Sequence, residues 1–180
     1  MMTVSLTGDL GAAAAMRLAA SMKAVENMTV RIGLPDSEKA AKRVTITEDN
    51  GDSTTTTKHV IEGKLTLAQL GLIQEFGIPG HIPSRPFMRS GLQRAKAGAS
   101  KLLGKLLEKL DPKVTGEQLK TKASTILGKV GAYVAAQIKQ GIASGGFAAN
   151  APSTVARKGS SKPLIDTGLL RQSLTWQVRS

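Results

Sequence analysis

The sequence predicts an α+β fold in which a small antiparallel or mixed sheet packs against an N-terminal helix and a long α-helical hairpin. Short alternating apolar segments surround Val30 and Trp176, near the two ends of the chain. Residues 87–144 carry apolar side chains at three- and four-residue steps, as amphipathic helices do. Asn50-Gly51, a strong hairpin-turn signal, separates two β-favouring segments. With 180 residues, 41% of them hydrophobic, the chain is predicted to form a single structural domain.

The first elements are a helix and a strand. Thr7 or Asp9 can cap a helix that runs to about residue 25, because apolar residues recur there at near-fourfold spacing. "MTVRIGLP" then alternates as a half-buried strand until Pro35 ends it.

The next elements are a hairpin and a short helix. "RVTITE" and "TTTTKHVI" predict the arms of a projecting β-hairpin at 42–61. "TLAQLGLIQEFG" predicts a helix with Thr66 as its cap and Gly77 as its end. The three prolines of "IPGHIPSRPF" predict an extended, rigid segment before the next helix.

Two long helices follow, and the short turn between them predicts an antiparallel α-hairpin at 87–144. The first, about 87–110, carries lysines on one face and a leucine stripe on the other: Leu102, Leu103, Leu106, Leu107 and Leu110. The second, about 115–144, opens with a predicted capping box of Thr115 and Gln118.

The remaining chain is predicted to be mostly loop. One short helix is expected around 153–157, and another follows Asp166. The last segment, "LTWQVRS", alternates as a strand and is predicted to pair with "TVRIGLP". The alternating strands at the two chain ends would then close the sheet, with or without the hairpin.

Composition excludes several kinds of site. The chain has no cysteine, which excludes disulfides, thiolate zinc sites and thiol catalysis. Its two histidines, His59 and His81, are too few for a histidine-rich metal site. There is no Ser-His-acid pattern and no phosphate-binding glycine loop, so the sequence predicts neither an enzyme nor a cofactor.

The start of the chain lacks the features of an export signal. The first residues have no basic region followed by an apolar core, and no apolar run approaches the ~20 residues that span a bilayer. We therefore expect assembly in a cytoplasm and no membrane association.

The formal charge of +12 is unevenly distributed. Residues 1–84 have a net charge of −1 and residues 85–180 a net charge of +13. This asymmetry suggests an acidic partner, either nucleic acid or the acidic face of a protein. Arg157, Lys158 and Lys162 form a flexible basic cluster that can contact phosphate, although a protein interface or a solvated loop explains it equally well.

The segment "KLLGKLLEKL" has two interpretations. It resembles a cationic helix that lies on anionic membranes. A leucine stripe opposite lysines is equally typical of a surface helix that packs on a core, which is the interpretation we favour because Gly104 and Glu108 weaken the membrane case.

"LIDTG", residues 164–168, has the pattern of an aspartic protease motif. That mechanism needs two carboxylates that share a proton, yet no second Asp-Thr-Gly or Asp-Ser-Gly exists in the chain. The residues after Gly168 follow a helical period. The sequence therefore predicts that Asp166 or Thr167 caps the following helix, a contact worth about 1 kcal/mol.

Two segments carry a resemblance to a known family. "IQEFGIPGHIPSRPFMR" (73–89) and "APSTVARKGSSKPLIDTGLLRQSLTWQV" (151–178) resemble the virion morphogenesis proteins of tailed bacteriophages, minor tail components that act as neck or tail-completion proteins. The matching positions are Glu75, Phe76, Gly77, Ile82, Pro83, Ser84, Arg85, Pro86, Phe87, Thr154 to Lys158, Pro163, Leu164, Ile165, Asp166, Thr167, Gly168, Arg171 and Ser173. The segment "VRIGLP" is also similar to that family, whereas the threonine-rich hairpin and the basic α-hairpin depart from it.

The resemblance implies a structural protein of the virion that stabilises the junction of head and tail. It implies a ring of identical subunits that contacts other neck and tail proteins, such as the connector, tail terminator, tail tube or sheath. Its structural or interface candidates are Glu75, Phe76, Pro83, Arg85, Pro86, Phe87, Asp166, Thr167, Gly168 and Arg171. Arg85 can bind a carboxylate across a subunit border or make a local contact that caps its own loop.

The charge supports an alternative function, that of a nonspecific nucleic-acid-binding protein. Only five aromatic residues are present, too scattered for a base-stacking surface, so any such contact would be with phosphate, including that of packaged DNA.

Overall fold

The structure, a computed structural model, describes residues 23, 25–36, 39–49, 54–111, 113–114 and 116–179. In these residues the strands are β1 (Thr29–Gly33), β2 (Lys39–Asp49), β3 (Thr54–Thr66) and β4 (Thr175–Arg179). The helices are α1 (Leu67–Phe76), α2 (Phe87–Glu108), α3 (Gly116–Ser144), α4 (Pro152–Lys158) and α5 (Leu169–Gln172). This arrangement confirms the α+β class.

The first and last described strands form one antiparallel sheet, as predicted. β1 pairs with β4 in a register that places Val30 opposite Val178 and Ile32 opposite Trp176. These four residues share the face that packs on α3, because side chains alternate along a strand and both β1 and β4 contact that helix. The polar residues of both strands lie on the other face.

The hairpin forms a sheet of its own. β2 pairs only with β3 among the described strands, with an irregularity between Lys39 and Ala41. The alternative in which the hairpin joins the terminal sheet is therefore wrong. The paired strands also extend beyond the predicted 42–61 segment, and the Asn-Gly turn lies outside the described residues.

The helix α1 begins and ends at the predicted residues. Thr66 accepts a hydrogen bond from the Gln69 amide, and the Gln69 side chain accepts one from the Thr66 amide, which completes a capping box. Gly77 ends the helix at φ 75°, a conformation that favours glycine.

The segment after α1 starts with a turn at residues 78–82, where its prolines predict an extended segment, and residues 83–86 then reach α2 without helix or turn. Ile78 and Ile82 exchange two backbone hydrogen bonds of 2.8 Å, and the His81 amide donates to the Ile78 carbonyl. Pro79 and Gly80, with Gly80 at φ 75°, occupy the centre of that turn. Proline and glycine are suited to adjacent central positions of a turn, and this outweighs the extended preference.

The long helices α2 and α3 pack against each other as a hairpin. The main core lies between them and the terminal sheet, and it consists of Phe87, Ala95, Val134, Ala135, Ile138, Ile142 and Leu174. Small residues allow the close approach, since a Cβ atom on Gly91 would lie 2.5 Å from the Ile138 side chain. The β1–β4 sheet covers α3 where Gly131 faces Trp176 and Val30.

The leucine stripe of α2 is covered only in part. Leu102, Leu103, Leu106 and Leu110 are half-buried and Leu107 is exposed, whereas the fully buried positions of α2 all lie in its first half. Core packing therefore accounts for one side of the stripe only.

Two predictions lie mostly outside the described residues. The N-terminal helix is described only at Lys23 and Val25, which are helical. The predicted capping box before α3 includes Thr115, which is not described. Within the described residues, no helix is both long and apolar enough to cross a membrane.

Candidate functional site

The candidate residues between α1 and α2 form a buried polar joint. It consists of Glu75 at the end of α1, Arg85 just before α2, the exposed Arg89 in the first turn of α2, and the backbone of residues 148–150 after α3. We call it the Arg85 joint. Glu75 is 5% exposed and Arg85 is 4% exposed, so both charges are withdrawn from solvent.

The guanidinium of Arg85 holds the loop that follows α3. Its Nε donates to the Ala148 carbonyl at 2.7 Å and its Nη2 to the Ala149 carbonyl at 2.8 Å. Its Nη1 donates to Gln74 Oε1 at 2.8 Å. These contacts lie within the chain, but they hold a loop 63 residues away and do not cap the loop of Arg85 itself, as the local interpretation proposed. They also leave no accessible fork for a carboxylate of another subunit.

Burial lowers the pKa of Arg85. Because an arginine guanidinium remains protonated in proteins, the joint contains a buried cation that is neutralised by carbonyl dipoles. Such a group is costly unless each donor is satisfied, so the loop must hold one conformation around it.

Glu75 caps α2 from outside that helix. Its Oε2 accepts from the Met88 amide at 2.8 Å, and its Oε1 accepts from the Arg89 amide at 3.1 Å and from Arg89 Nε at 2.9 Å. The N-cap residue itself, Pro86, makes no side-chain cap contact. The Glu75 carboxylate therefore satisfies two free amides and faces the positive end of the helix dipole.

The joint connects both segments that carry the family resemblance. Asn150 Oδ1 lies 3.4 Å from Arg85 Nη2, and Asn150 Nδ2 donates to the carbonyls of Ser161 and Lys162 at 3.3 Å. Residues 74–89 and residues 148–162 are thereby fixed relative to each other. Their separation along the sequence is large, and the fold brings them together.

The other candidates near the joint occupy different environments. Phe87 is buried in the core and Pro86 is half-buried. Pro83 is exposed, and Phe76 is 61% exposed with the Arg89 guanidinium 5.1 Å from its ring centroid. An open cavity of about 480 Å³ lies against Phe76, Pro83 and the turn between them.

The residues after α4 form a second cluster at the start of α5. Gly168, and not Asp166 or Thr167, occupies the N-cap of α5, at φ 85° and without a side-chain cap contact. Only the position differs from the prediction, because the chain is left-handed at residue 168, where glycine fits; the predicted contact from residue 166 or 167 to an early helix amide is present. Thr167 nevertheless accepts a 3.3 Å hydrogen bond from the Leu169 amide.

Asp166 and Arg171 are half-buried, and Oδ1 of Asp166 is shielded from solvent. No group of three or more histidine, aspartate or glutamate side chains in the described residues could hold a metal ion. The position of Asp166 before a left-handed turn is consistent with a structural role.

The basic cluster is held more firmly than the glycine-rich sequence predicts. Lys158 Nζ donates to the Lys162 carbonyl at 2.9 Å, and the Lys162 amide donates to Ser160 Oγ at 3.3 Å. Arg157 and Lys162 are exposed, whereas Lys158 is half-buried. Arg157 and Lys162 are therefore the members of the cluster whose side chains face solvent.

Sequence reasoning did not single out Gln74, Arg89 or Asn150. Each acts through a contact to a residue at least 11 positions away, and no periodic pattern marks such pairs. Comparison of the chain with protein-family models, with curated proteins and with solved structures finds no match in any of the three.

Proposed function

We propose that the chain is a structural protein of a tailed-bacteriophage virion, a neck or tail-completion component that joins or stabilises the head–tail junction. It assembles in the host cytoplasm as a ring of identical subunits. Its partners are other neck and tail proteins, and its role involves no catalysis and no cofactor.

The observation that carries the proposal is the Arg85 joint. Arg85, from the first segment that resembles phage virion morphogenesis proteins, holds the carbonyls of Ala148 and Ala149 through part-buried hydrogen bonds. The neighbouring Asn150 side chain then bonds to Ser161 and Lys162 of the second segment. Buried polar groups of this kind hold one arrangement of the chain, which suits a subunit whose shape must match its neighbours. Glu75 and Arg85 are too deeply buried to act on a substrate.

A deletion experiment tests the proposal. Phage that lack the gene for this chain are expected to accumulate filled heads and separate tails, and the wild-type gene supplied in trans is expected to restore joined particles. Electron microscopy of the lysate shows either result. Normal infectious particles without the chain would refute the proposal.

Nonspecific binding of nucleic acid is a second candidate, favoured by one observation. Lys101 and Lys105 in the second half of α2 and Lys109 at its C-cap are exposed at four-residue spacing. Anisotropy of a labelled random DNA duplex tests it, because phosphate contacts by three lysines predict an affinity that falls about 40-fold between about 50 mM and about 200 mM salt. Negligible affinity at the lower salt concentration would eliminate this candidate.

A further inference from the structure

Helix α2 has a second apolar side that the described part of the chain leaves uncovered. Leu92 is 45% exposed and Leu107 is 50% exposed. Ala99 and Leu103, both half-buried, lie between them. The spacings of seven, four and four residues place all four on the same side of the helix.

Cationic side chains alternate with these apolar ones. Arg89 precedes Leu92 by three residues and stacks on the exposed ring of Phe76, and Lys96 follows Leu92 by four residues. We call the surface of Phe76, Arg89, Leu92, Lys96, Leu103 and Leu107 the outer strip. From Arg89 to Leu107 it extends about 27 Å along the helix, at 1.5 Å per residue.

A comparison with the buried side of α2 shows why the outer strip is unusual. Three residues of α2 are buried beside α3: Phe87, Gly91 and Ala95. They form the one apolar side with which a surface helix packs on the rest of its own fold. Leu92 and Leu107 add apolar surface beyond that need. Large apolar side chains that recur along one exposed side mark a contact with another molecule.

Charge identifies the kind of molecule. Residues 87–144 carry eleven basic and three acidic side chains, a net charge of +8. Lys96, within the strip, makes no ion pair with any described residue. We propose that the outer strip binds an acidic amphipathic helix of a partner protein, whose apolar side covers the leucines while its carboxylates pair with Lys96.

Two other occupants fit less well. A second copy of α2 packed antiparallel on the strip would bring two Lys96 side chains together, and like charges oppose that contact. Nucleic acid would leave the leucines uncovered. The exposed lysines at positions 101, 105 and 109, which suit phosphate, lie on a different side of α2 from Leu103 and Leu107.

The outer strip shares Arg89 with the Arg85 joint, but Leu92 and Leu107, which the test changes, take no part in the joint, so the inference and the proposed function can fail separately. The test uses the full chain and a labelled synthetic peptide designed as an acidic amphipathic helix, with leucines at three- and four-residue steps and glutamates elsewhere. A scrambled peptide of the same composition is its control. Anisotropy titration is expected to show at least about tenfold tighter binding of the designed peptide.

Matched variants locate the binding. Leu92→Gln and Leu107→Gln are each expected to weaken binding of the designed peptide about tenfold, since each removes about half of a leucine contact. Leu65→Gln, at a leucine that is 42% exposed on β3, is expected to leave it unchanged. Because all three side chains are substantially exposed, circular dichroism of each variant should match that of the wild type.

Several outcomes would overturn the inference. One is equal binding of the designed and scrambled peptides; another is an equal loss in the Leu65→Gln control. If random DNA duplex competes with the designed peptide and Leu107→Gln abolishes that competition, the strip binds nucleic acid. The same result with phosphatidylglycerol vesicles would assign the strip to a membrane. A dimer in sedimentation that Leu107→Gln dissociates would assign it to a second copy of the chain.

Discussion

At the scale of single residues, the main finding is that Glu75 and Arg85 act on parts of the chain outside their own elements. Glu75 ends α1 but caps α2, and Arg85 precedes α2 but holds the loop after α3. Both side chains are buried, so their hydrogen bonds within the protein replace the hydrogen bonds that these charged groups would otherwise make to water. Their removal should therefore cost more than the loss of a surface ion pair.

The substitution Glu75→Gln tests the cap. An amide has one acceptor oxygen and presents donor hydrogens to the donors of Met88 and Arg89, so we expect a loss of about 2 kcal/mol in the free energy of unfolding. Urea denaturation measures it. Glu108→Gln, at an exposed carboxylate at the other end of α2, should change stability by less than about 0.5 kcal/mol, and equal effects of the two would contradict the cap.

The substitution Arg85→Lys tests the joint. A lysine ammonium cannot reproduce the planar fork that serves Gln74, Ala148 and Ala149, so we expect a loss of at least about 2 kcal/mol. Hydrogen exchange should accelerate in residues 145–150 in particular. Arg157→Lys, at an exposed position, is the control; unchanged exchange in the Arg85→Lys loop would disprove the tether.

At the scale of elements, packing depends on small residues at the contacts. Gly131 on α3 faces Trp176 and Val30, and a Cβ atom there would lie 2.7 Å from Trp176 Cδ1 and 2.8 Å from Val30 Cγ1. The sheet therefore rests directly on the backbone of α3. Gly104 on α2 has open space around it, with no heavy atom within 4 Å of an added Cβ.

Substitution of these two glycines by alanine is expected to change the stability of the protein in opposite directions. Gly131→Ala should destabilise the protein by about 1–3 kcal/mol because the sheet must move away from α3. Gly104→Ala should stabilise it by about 0.5–1 kcal/mol, since alanine favours a helix interior. Thermal unfolding followed by fluorescence of Trp176, the single tryptophan, measures both. A stabilising Gly131→Ala would show that the contact is absent.

The elements with a local signal are the ones that the sequence predicts. Alternating apolar residues around Val30 and Trp176 indicate strands β1 and β4. The hydrogen bonds between Thr66 and Gln69 at the start of α1 join residues only three positions apart, so they too have a local sequence signal. The turn at residues 78–82 is missed because Pro79-Gly80 favours a turn while the neighbouring prolines favour extension. The joint is missed because Arg85 and Ala148 are 63 residues apart and leave no periodic trace.

At the scale of the whole molecule, the first and last described strands pair with each other and close the described fold. β4 is the last described strand, and its partner β1 lies near the start of the described chain. Leu174, 1% exposed, joins the core immediately before β4. The terminal sheet therefore makes the stability of the core depend on the last residues of the chain.

A truncation tests this dependence. A chain that ends after Ser173 loses Leu174 and β4, which uncovers Val30 and Ile32 and one side of α3. We expect it to lack a cooperative unfolding transition in circular dichroism. Gln177→Ala, at an exposed position of β4, should unfold as the wild type does; cooperative unfolding of the truncated chain would contradict the closure.

The central claim is the proposal that the chain is a structural component of a tailed-phage virion. Quantitative mass spectrometry of purified phage particles tests it most directly. The account predicts that the chain is present in a fixed, small number of copies per particle, as a ring at the junction of head and tail requires. Its absence from particles whose other head and tail proteins are detected would contradict the account.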